Sequence, residues 1–402
     1  MKVTIEASKA SGPVAAPPSK SMAHRLLICA GLARGESTVK GLDMSQDVLA
    51  TMDCLKALGA EIRQEGEQLK VRGADPFKAA GGVLHCRESG STLRFFVPIA
   101  LLSEEKLRFT GTEKLLSRPL EIYERLCADR ALYYSKAADS LTVSGPLKAG
   151  EFSFPGDVSS QFVSGLLFAL PLLEEDSCIR LIPPVESRSY INMTVSAMAR
   201  FGVDVRWQDE NSLYIPGGQH YLPAELSVEG DYSNAAFLEA LNELGGSVTV
   251  EGLRPDSLQG DRVYRQHFKA LRQSGARISL ADCPDLGPVL FALAAANKGG
   301  LFTDTRRLRI KESDRAEAMA RELRKLGADI SVGDDFVEIH PSVLKCSSEP
   351  LWGHNDHRVV MSLAVLLTRL GGSIEGAEAV SKSWPGFFES IEALGIRLRR
   401  GE

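Results

Sequence analysis

A weak internal repeat runs through the whole sequence, and it limits the chain to architectures built from copies of one unit. Each copy contains the end of a helix, a glycine suited to a left-handed helix cap, and two short strands joined by a polar turn. The clear copies lie at 54–73, 197–217 and 322–341, and the fainter ones at 125–145, 268–280 and 390–400. The cap positions are residues 59, 130, 202, 275, 327 and 395, with arginine in place of glycine at 130.

A second series of features alternates with the first. Small or polar residues come directly before apolar helical segments at Ser21, Gly90, Ser159, Tyr232, Asp285 and Asn355. Together the two series predict a β-α-β-α-β-β module of about 65 to 70 residues that occurs six times. A chain of 402 residues is too long for one ordinary core, so we expect two α/β domains, each with three modules and three buried helices. Chance recurrence of a common α/β pattern is the alternative interpretation.

The composition excludes several classes of function. The formal net charge is −5 at neutral pH, which argues against a nucleic-acid-binding protein because such domains are usually basic. No apolar run approaches the length of a membrane span, and residues 1–5 resemble a strand more than a signal peptide. The seven cysteines are scattered, without a C-x-x-C motif or a Cys/His cluster. We therefore expect a cytoplasmic protein with reduced thiols, no metal centre, and no nucleic-acid or membrane partner.

Positive side chains occupy two of the predicted helix starts, where the helix dipole disfavours them. They are Lys20 and Arg25 in "SKSMAHR", and His357 and Arg358 in "NDHR". Capping explains the serines and asparagines of these segments, but it does not explain the cations. Backbone N–H groups, hydroxyls and cations at a helix start form a binding site for phosphate or carboxylate. Several such starts in one chain predict a ligand with more than one anionic group.

Three further stretches carry charges near predicted helix starts. The segment "RIKESDRAEAMA" contains Lys311 and Arg315 four residues apart, a spacing that alone is typical of a solvated helix face. In "SRPLEIYERL", Arg118 precedes Pro119, which suits the first position of a helix. Lys382 stands in a similar place in "SKSWPGFFESI". Taken singly, each of these is consistent with an ordinary surface charge.

Taken together, these segments resemble the 5-enolpyruvylshikimate-3-phosphate synthase family. The motifs "PPSKSMAHR", "SSQF", "IKESDR", "NDHR" and "SKSWPGFFESI" occur in the family's order and extend over the whole chain. The resemblance implies an enolpyruvyl transferase-like fold, which is a two-domain inside-out α/β barrel with six β-α-β-α-β-β repeats and buried helices. The domains are then expected at 1–17 with 228–402 and at 18–227, with the active site in the cleft between them.

The same resemblance implies a reaction of the shikimate pathway, which leads to chorismate and the aromatic amino acids. The enolpyruvyl group of phosphoenolpyruvate is transferred to the 5-hydroxyl of shikimate 3-phosphate, and phosphate is released without a metal or organic cofactor. Protonation of the enol carbon gives oxocarbenium character, and a base activates the attacking hydroxyl. Asp285 matches the base and Glu312 the acid, with Lys20 and Lys382 able to share the proton transfers. The two substrates bring on the order of five to six negative charges, which explains why an acidic chain gathers cations.

The binding residues are carried over position by position from the same resemblance. Those that match the shikimate 3-phosphate site are Ser21, Arg25, Ser159, Ser160, Gln161, Ser187, Tyr190, Asp285, Arg307 and Lys311. Those that match the phosphoenolpyruvate site are Lys20, Gly90, Arg118, Gln161, Arg315, His357, Arg358 and Lys382. The unsubstituted Gly90 also predicts sensitivity to glyphosate. We expect the enzyme to be a monomer that binds these two small molecules.

Several residues depart from the pattern that is common in the family. They are His24, Glu88, Ser91, Phe95, Arg307 and Gly386. His24 stands where many members have asparagine, and Ser91 replaces a threonine. Arg307 occupies the position of an asparagine that touches shikimate 3-phosphate in many members. These departures concern substrate affinity and the response to inhibitors more than the reaction.

Three other functions are weighed against this one. The UDP-N-acetylglucosamine enolpyruvyl transferases share the fold but usually carry a reactive cysteine before their Arg-Pro, and residues 111–119 contain none. A non-catalytic anion-binding protein of the same fold would be expected to lack the proton-transfer residues, which are present here. An RNA-end-processing enzyme is disfavoured by the acidic charge and by the lack of a basic tract with interleaved aromatic residues.

Overall fold

The computed structural model describes residues 1–401, which form two compact units. Unit 1 combines Met1–Ser19 with the chain from Gly230 onward, and unit 2 is the continuous stretch Lys20–Glu229. The sequence-predicted crossings, after residues 17 and 227, lie two residues before the observed ones. Each unit has a hydrophobic core of its own. Across the described residues, every helix is too short or too polar to cross a membrane.

Six apolar helices, one in each module, supply the centre of each core. They are α1 (Lys20–Leu32), α3 (Gly90–Ala100), α6 (Ser160–Ala169), α8 (Tyr232–Glu243), α10 (Gly287–Ala296) and α12 (His357–Leu370). Their first residues lie within two positions of the helix starts predicted from the sequence. Helix α10 is apolar on every side and is buried from Gly287 to Ala295, as expected for a helix surrounded by protein. In unit 1, α8, α10 and α12 pack against one another, and in unit 2 α3 packs on α6.

A second set of six helices alternates with these apolar helices along the chain. Its members are α2 (Gln46–Ala57), α5 (Glu121–Asp129), α7 (Arg188–Ala199), α9 (Tyr264–Leu271), α11 (Arg315–Lys325) and α13 (Phe387–Ala393), with the single turn α4 (Glu113–Leu116) before α5. The five predicted cap glycines are all left-handed, with φ between 75° and 101°. At the exception, Arg130 has φ −111° and its neighbour Ala131 takes the left-handed conformation at φ 52°. Short 3-10 turns lie at Pro76–Lys78, Leu170–Leu172, Gly260–Val263, Pro284–Leu286, Arg306–Ile310 and Ala377–Lys382.

Across residues 20–229, the strands form three separate four-stranded sheets. They are β3 (Glu36–Lys40), β4 (Glu61–Glu65), β5 (Gln68–Arg72), β6 (Gly82–His85), β7 (Leu107–Thr110), β8 (Tyr133–Lys136), β9 (Ser140–Ser144), β10 (Glu151–Pro155), β11 (Ser177–Ile182), β12 (Arg206–Trp207), β13 (Ser212–Ile215) and β14 (Glu225–Ser227). The orders are β14-β3-β5-β4, β6-β7-β9-β8 and β10-β11-β13-β12. In each sheet the first pair is parallel and the others are antiparallel.

Within the described part of unit 1, the strands form two four-stranded sheets and one isolated pair. They are β1 (Lys2–Ile5), β2 (Ser11–Ala15), β15 (Ser247–Glu251), β16 (Arg277–Ser279), β17 (Gly300–Thr303), β18 (Asp329–Val332), β19 (Phe336–His340), β20 (Leu351–Trp352), β21 (Gly372–Glu375) and β22 (Leu398–Gly401). The sheet orders are β16-β17-β19-β18 and β20-β21-β1-β22, and β2 pairs with β15. Strand β1 lies between β21 and β22, so the start of the chain completes the sixth module.

One module departs from the predicted pattern. The module with α8 and α9 has only the parallel pair β2 and β15. Strand β16, which the repeat pattern assigns to it, instead pairs with β17 of the next module. Because this module lacks its antiparallel hairpin, the spacing between cap positions 275 and 327 is only 52 residues.

Each unit has its helices inside and its strands outside, which is the layout that the sequence analysis describes as inside-out. Strand residues alternate between core and solvent, as in β10, where Phe152 and Phe154 are buried while Glu151 and Ser153 are exposed. The sheets stay separate, and no sheet closes into a barrel across residues 1–401. The term barrel therefore describes the arrangement of layers and not a closed strand ring.

Candidate active site

Unit 1 contains a buried guanidinium group that contacts three carboxylates. Only 2% of the Arg315 side chain is exposed. Its Nη1 donates to Asp285 at 2.8 Å, its Nη2 to Glu312 at 2.7 Å, and its Nε to Asp356 at 2.8 Å. A buried charge is tolerated when it is paired and hydrogen-bonded. One cation thus joins the two acids that the family resemblance assigns to proton transfer.

The position of Arg315 differs from what the spacing of charges predicts for this segment. Helix α11 begins at Arg315, and Asp314 caps it by accepting from the Glu317 N–H at 3.2 Å. Lys311 lies before the helix in extended backbone. The two cations therefore do not share a helix face, and Arg315 is not solvated. The spacing alone is typical of a solvated face, and it does not reveal these contacts because two of the three partners come from distant parts of the chain.

Asp285 lies in the 3-10 turn just before α10 and contacts three cations. Besides Arg315, its carboxylate meets Arg358 Nη2 at 3.1 Å and Lys311 Nζ at 3.4 Å. Burial lowers the pKa of Lys311. Asp285 opposes this shift, and the positive charges of Arg315 and Arg307 add to it. About a fifth of the Asp285 side chain, 19%, stays exposed, so this carboxylate is accessible to a ligand.

The start of α12 supplies further charges to this cluster. Asp356 is fully buried, pairs with Arg315, and caps α12 by accepting from the Arg358 N–H at 2.9 Å. His357, the first residue of the helix, is buried as well. The Arg358 guanidinium is buried, and its Nε and Nη1 have no hydrogen-bond partner within residues 1–401. Since buried N–H groups without an acceptor are unfavourable, these two atoms suit an anionic ligand. Lys382 Nζ donates to the backbone carbonyl of Asn355, in the turn before α12, at 2.7 Å.

The turn before α12 is held by a second buried carboxylate, Glu322 of α11. It accepts from Lys325 Nζ at 2.7 Å and from the Trp352 N–H at 2.9 Å, and it contacts His354 Nε2 at 2.8 Å. His354 and Asn355 both have left-handed backbones, with φ 50° and 52°, a conformation that is strained for residues with a Cβ atom. The contacts to one carboxylate fix this strained turn and thereby direct the start of α12.

Arg307 lies beside the same cluster. It belongs to the 3-10 turn after β17 and donates to the Ala281 carbonyl at 3.4 Å. Its charge also acts on Lys311, as described above. Among residues 1–401, no group of three or more His, Cys, Asp or Glu side chains is placed to hold a metal ion. The described cluster is thus composed of paired cations and carboxylates.

Asp261 is a buried acid of unit 1 that the sequence analysis does not identify. It accepts a hydrogen bond from Ser233 Oγ of α8. Burial raises its pKa to about 6, with the negative charge of Asp285 adding to the shift and Arg358 opposing it. The unfolded-state pKa of an aspartate is about 3.9, so the folded state holds the proton more tightly. The resulting stabilisation is present below about pH 4 and is lost as the pH rises through about 6.

The Asp261→Asn variant tests this pH dependence, because asparagine cannot ionise. Its free energy of unfolding, relative to that of the native protein, is expected to increase by about 2 kcal/mol between pH 4 and pH 7. Urea unfolding at pH 4, 5, 6 and 7 measures the difference. The control is Asp282→Asn, which changes an exposed carboxylate and is expected to show no such trend. A difference that stays constant across this pH range for Asp261→Asn contradicts the prediction.

In unit 2, the cations at the start of α1 have partners of their own. Lys20 Nζ pairs with Asp47 of α2 at 2.7 Å, and both side chains are mostly buried. Arg25 donates to the backbone carbonyls of Ser21 at 2.7 Å and Tyr190 at 3.0 Å, and to a hydroxyl of α7 at 2.8 Å. Burial lowers the pKa of Arg25 to about 10, which still leaves it charged at neutral pH. These contacts offset the unfavourable helix dipole.

A second group of predicted residues meets where α3 and α6 begin. Ser159 caps α6 by accepting from the Gln161 N–H at 3.4 Å, and Gln161 Oε1 accepts from Arg94 Nη1 at 2.8 Å. A Cβ atom at Gly90, the first residue of α3, would lie 2.6 Å from Arg118 Nη1 and 3.3 Å from Arg94 Nη1. Glycine therefore permits two guanidinium groups to approach the backbone closely. The structure thus brings Gly90, Gln161 and Arg118 together.

The remaining predicted residues of unit 2 lie at the starts of α6 and α7. Ser160 is the first residue of α6 and is buried. Ser187 is buried and left-handed, with φ 53°, directly before α7, and Tyr190 lies in the first turn of that helix. Pro119 is not the first residue of a helix as predicted, because α5 begins two residues later at Glu121.

Three buried acids escape prediction from the sequence: Asp356, Asp47 and Asp261. Asp356 is inside the "NDHR" motif, and its place before two cations is a signal that could have indicated a helix cap. Asp47 and Asp261 carry no such signal, because each meets its partner only in the folded chain. The described residues thus contain a pair of acids held by one cation in unit 1, and clustered cationic side chains in both units.

Solved structures share this order of elements. EPSP synthase from Acinetobacter baumannii is 22% identical, with a TM-score of 0.81 and coverage of 99% of each chain. The enolpyruvyl transferase NikO from Streptomyces tendae is 13% identical, with a TM-score of 0.79 and coverage of 99% of this chain and 98% of that chain. At such identities the similarity shows the fold, which is that of the enolpyruvyl transferases.

Sequence comparison identifies the family within this class. The family model of EPSP synthase (3-phosphoshikimate 1-carboxyvinyltransferase) matches residues 5–391. The 3-phosphoshikimate 1-carboxyvinyltransferase of Clostridium kluyveri is 40% identical over 415 residues, covering 98% of this chain and 97% of that protein. The enzyme of the same name from Clostridium perfringens strain SM101 is 40% identical over 421 residues and 99% of both chains. The chain belongs to the EPSP synthase family, so the family prediction drawn from its motifs is confirmed.

Proposed function

We propose how the side chains of this chain divide the work of the 3-phosphoshikimate 1-carboxyvinyltransferase reaction. In this reaction the enolpyruvyl group of phosphoenolpyruvate is transferred to the 5-hydroxyl of shikimate 3-phosphate, and phosphate is released. The observation that supports the assignment most strongly is Arg315, whose buried guanidinium binds Asp285 at 2.8 Å and Glu312 at 2.7 Å. Two acids held by one cation have fixed positions, as proton transfer in both directions requires.

Asp285 is proposed as the base that accepts the proton of the 5-hydroxyl. Its side chain is partly exposed, and its negative charge is offset by Arg315, Arg358 and Lys311. Removing the hydroxyl proton leaves an electron pair on oxygen that forms the new C–O bond. Since Asp285 becomes neutral in this step, its three cations are then available to stabilise the anionic groups of the adduct.

Glu312 is proposed as the acid that protonates the methylene carbon of phosphoenolpyruvate. This protonation makes the neighbouring carbon electrophilic, and attack by the 5-hydroxyl gives a tetrahedral adduct. The adduct then loses phosphate as the methyl carbon returns its proton to Glu312. The 5-hydroxyl proton held by Asp285 passes to the departing phosphate oxygen, so both acids finish in their starting states. Lys20 and Lys382 are proposed to share these transfers, because an ammonium group can deliver a proton to a departing phosphate oxygen.

The anionic groups of the substrates are assigned to the cations of both units. The residues proposed for shikimate 3-phosphate are Ser21, Arg25, Ser159, Ser160, Gln161, Ser187, Tyr190, Asp285, Arg307 and Lys311. The residues proposed for phosphoenolpyruvate are Lys20, Gly90, Arg118, Gln161, Arg315, His357, Arg358 and Lys382. Two features support the second set: the buried Nε and Nη1 of Arg358 lack partners within residues 1–401, and Gly90 admits Arg118 to the backbone. Both features suit a small ligand that carries a carboxylate and a phosphate.

Phosphate release by the purified protein tests the proposed function. The protein is mixed with shikimate 3-phosphate and phosphoenolpyruvate, without added metal or cofactor, and a parallel sample receives UDP-N-acetylglucosamine as the acceptor. Release only with the shikimate substrate is expected. Release only with the nucleotide sugar would overturn the acceptor assignment, and no release from folded protein would overturn the catalytic one.

Glyphosate is expected to slow the reaction, and an unchanged rate at high glyphosate would contradict that expectation.

We further propose that the enzyme is a cytoplasmic monomer. The cysteines within residues 1–401 are all free thiols, and most of them are buried, which is consistent with a reducing compartment. Light scattering coupled to size-exclusion chromatography tests the oligomeric state against the chain mass of 43.6 kDa. A mass of about twice this value or more would contradict the monomer.

A further inference from the structure

Five side chains around the start of α3 form a closed ring of hydrogen bonds. The members are His24 of α1, Thr51 of α2, and Ser89, Ser91 and Thr92 at the start of α3. In order around the ring, the contacts are His24 Nδ1 to Thr51 Oγ1 at 2.6 Å, Thr51 Oγ1 to Thr92 Oγ1 at 2.9 Å, Thr92 Oγ1 to Ser89 Oγ at 2.8 Å, Ser89 Oγ to Ser91 Oγ at 3.1 Å, and Ser91 Oγ to His24 Nε2 at 3.2 Å. Gly90 lies in the chain between two members of this ring.

The ring has one proton for each of its bonds when the imidazole is neutral. Four hydroxyls and one N–H supply five donors, so within the ring each member donates once and accepts once. Ser89 Oγ also accepts from the Thr92 N–H at 3.2 Å. Thr92 donates to Ser89, and the same direction continues through Ser91 to the Nε2 atom of His24. The imidazole proton is therefore assigned to Nδ1, from which it donates to Thr51. A second imidazole proton would leave one donor without an acceptor in the ring.

The surroundings of His24 favour the neutral imidazole that this ring requires. Only 1% of the residue is exposed, and its ring meets the edge of Phe95 at a centroid distance of 6.3 Å. Burial lowers the pKa of His24 well below its ordinary value, and the positive charges of Lys20 and Arg25 lower it further. His24 therefore stays a donor at one nitrogen and an acceptor at the other at neutral pH.

We propose that His24 is a positioning residue that fixes the first turn of α3, and thereby Gly90, for phosphoenolpyruvate binding. This inference rests on the proposed role of Gly90 and Arg118 in holding that substrate. Gly90 approaches Arg118 so closely that a Cβ atom would lie 2.6 Å from its Nη1, so a small shift of the turn changes the position of the guanidinium. His24 acts on this turn through Ser91. Because His24 and Lys20 are both on α1, the ring also joins the turn with Lys20 to the turn with Gly90.

The His24→Leu and His24→Gln variants test the proposal. Leucine breaks the ring, whereas glutamine offers an N–H donor and a carbonyl acceptor on separate atoms, with one N–H more than the neutral imidazole. We expect His24→Leu to raise the KM for phosphoenolpyruvate about tenfold, the loss of about one hydrogen bond's free energy. The kcat and the KM for shikimate 3-phosphate are expected to change less than about threefold, and glutamine is expected to restore most of the lost affinity.

Two further variants distinguish a specific effect of the ring from a general loss of structure. Thr51→Val breaks the ring with little change of shape and keeps the imidazole, so it is expected to raise the same KM selectively. Ser103→Ala removes a buried hydroxyl that donates to the Ala79 carbonyl at 3.1 Å, beyond the other end of α3, and it is expected to leave both KM values unchanged. Thermal unfolding establishes that each variant is folded.

The outcomes separate this inference from the proposed function. An equal rise of both KM values in His24→Leu, a glutamine variant no better than leucine, or an unchanged KM in Thr51→Val would each overturn the positioning role. Calorimetric titration with phosphoenolpyruvate alone, without shikimate 3-phosphate, gives a second readout that does not depend on turnover. If the unsubstituted protein shows no turnover, the proposed function is overturned. If His24→Leu binds phosphoenolpyruvate as tightly as the unsubstituted protein does, the role of His24 is overturned.

Discussion

Replacement of Asp285 by asparagine is expected to lower kcat by about two to four orders of magnitude. Asparagine keeps the size of the side chain and can still accept from the neighbouring cations, but it cannot take up a proton from the 5-hydroxyl. Shikimate 3-phosphate is therefore expected to bind to the variant, with turnover lost. Steady-state rates of phosphate release and calorimetric titration with shikimate 3-phosphate measure the two effects separately.

The matched control for this variant is Asp282→Asn. Asp282 lies three residues earlier and is exposed, so its replacement changes the net charge equally without touching the cluster. It is expected to keep full activity. An Asp285→Asn variant with native kcat would remove Asp285 from the role of base. A variant that neither turns over nor binds shikimate 3-phosphate would instead assign Asp285 to substrate binding alone.

Replacement of Arg315 by methionine is expected to reduce the free energy of unfolding by about 3 to 5 kcal/mol. Methionine fills a similar volume but leaves Asp285, Glu312 and the fully buried Asp356 without their shared cation. Because protonated carboxylates do not need a counter-charge, the loss is expected to become smaller as the pH falls below about 4. Urea unfolding at pH 7 and at about pH 3 measures the difference. If the loss of unfolding free energy does not depend on pH, the effect is due to packing and not to charge.

An exposed ion pair in the same unit provides the control for Arg315. Arg306 meets Asp335 at 3.4 Å, and 71% of its side chain is exposed. Arg306→Met is therefore expected to change the free energy of unfolding by about 0.5 kcal/mol or less. Arg315→Lys retains the charge but not the three nitrogen atoms that meet three carboxylates. It is expected to keep part of the stability and to lose most of the activity.

Local patterns in the sequence predict the positions of the helices well. The apolar runs after Ser159 and Gly90 begin helices at Ser160 and Gly90, because an apolar run of this length is typical of a buried helix and longer than most strands. The cap glycines are equally informative, since a left-handed residue at the end of a helix strongly favours glycine. At residue 130, where the sequence has arginine, the left-handed residue is Ala131 instead.

Contacts between distant residues explain what the sequence does not predict. Arg315 meets partners that are 30 and 41 residues away, and its polar surroundings in the sequence are those of an exposed helix. The hydrogen bond between His24 and Ser91 spans 67 residues. The motifs identify which residues belong to the family's pattern, but pairing and burial follow from the fold. The catalytic and binding roles of the site residues stay predictions until the variants above are measured.

The pairing of β1 also sets an order for biosynthesis. Lys2 pairs with Glu375, which follows it 373 residues later, whereas unit 2 is one continuous segment from Lys20 to Glu229. At about 5 to 20 residues per second, a ribosome needs roughly 20 to 75 s to synthesise the segment between the two paired strands. Unit 2 can therefore fold during translation while β1 still has two unpaired edges. A chain stalled before residue 372 would carry a complete unit 2 and an exposed β1, which makes such nascent chains candidates for chaperone binding.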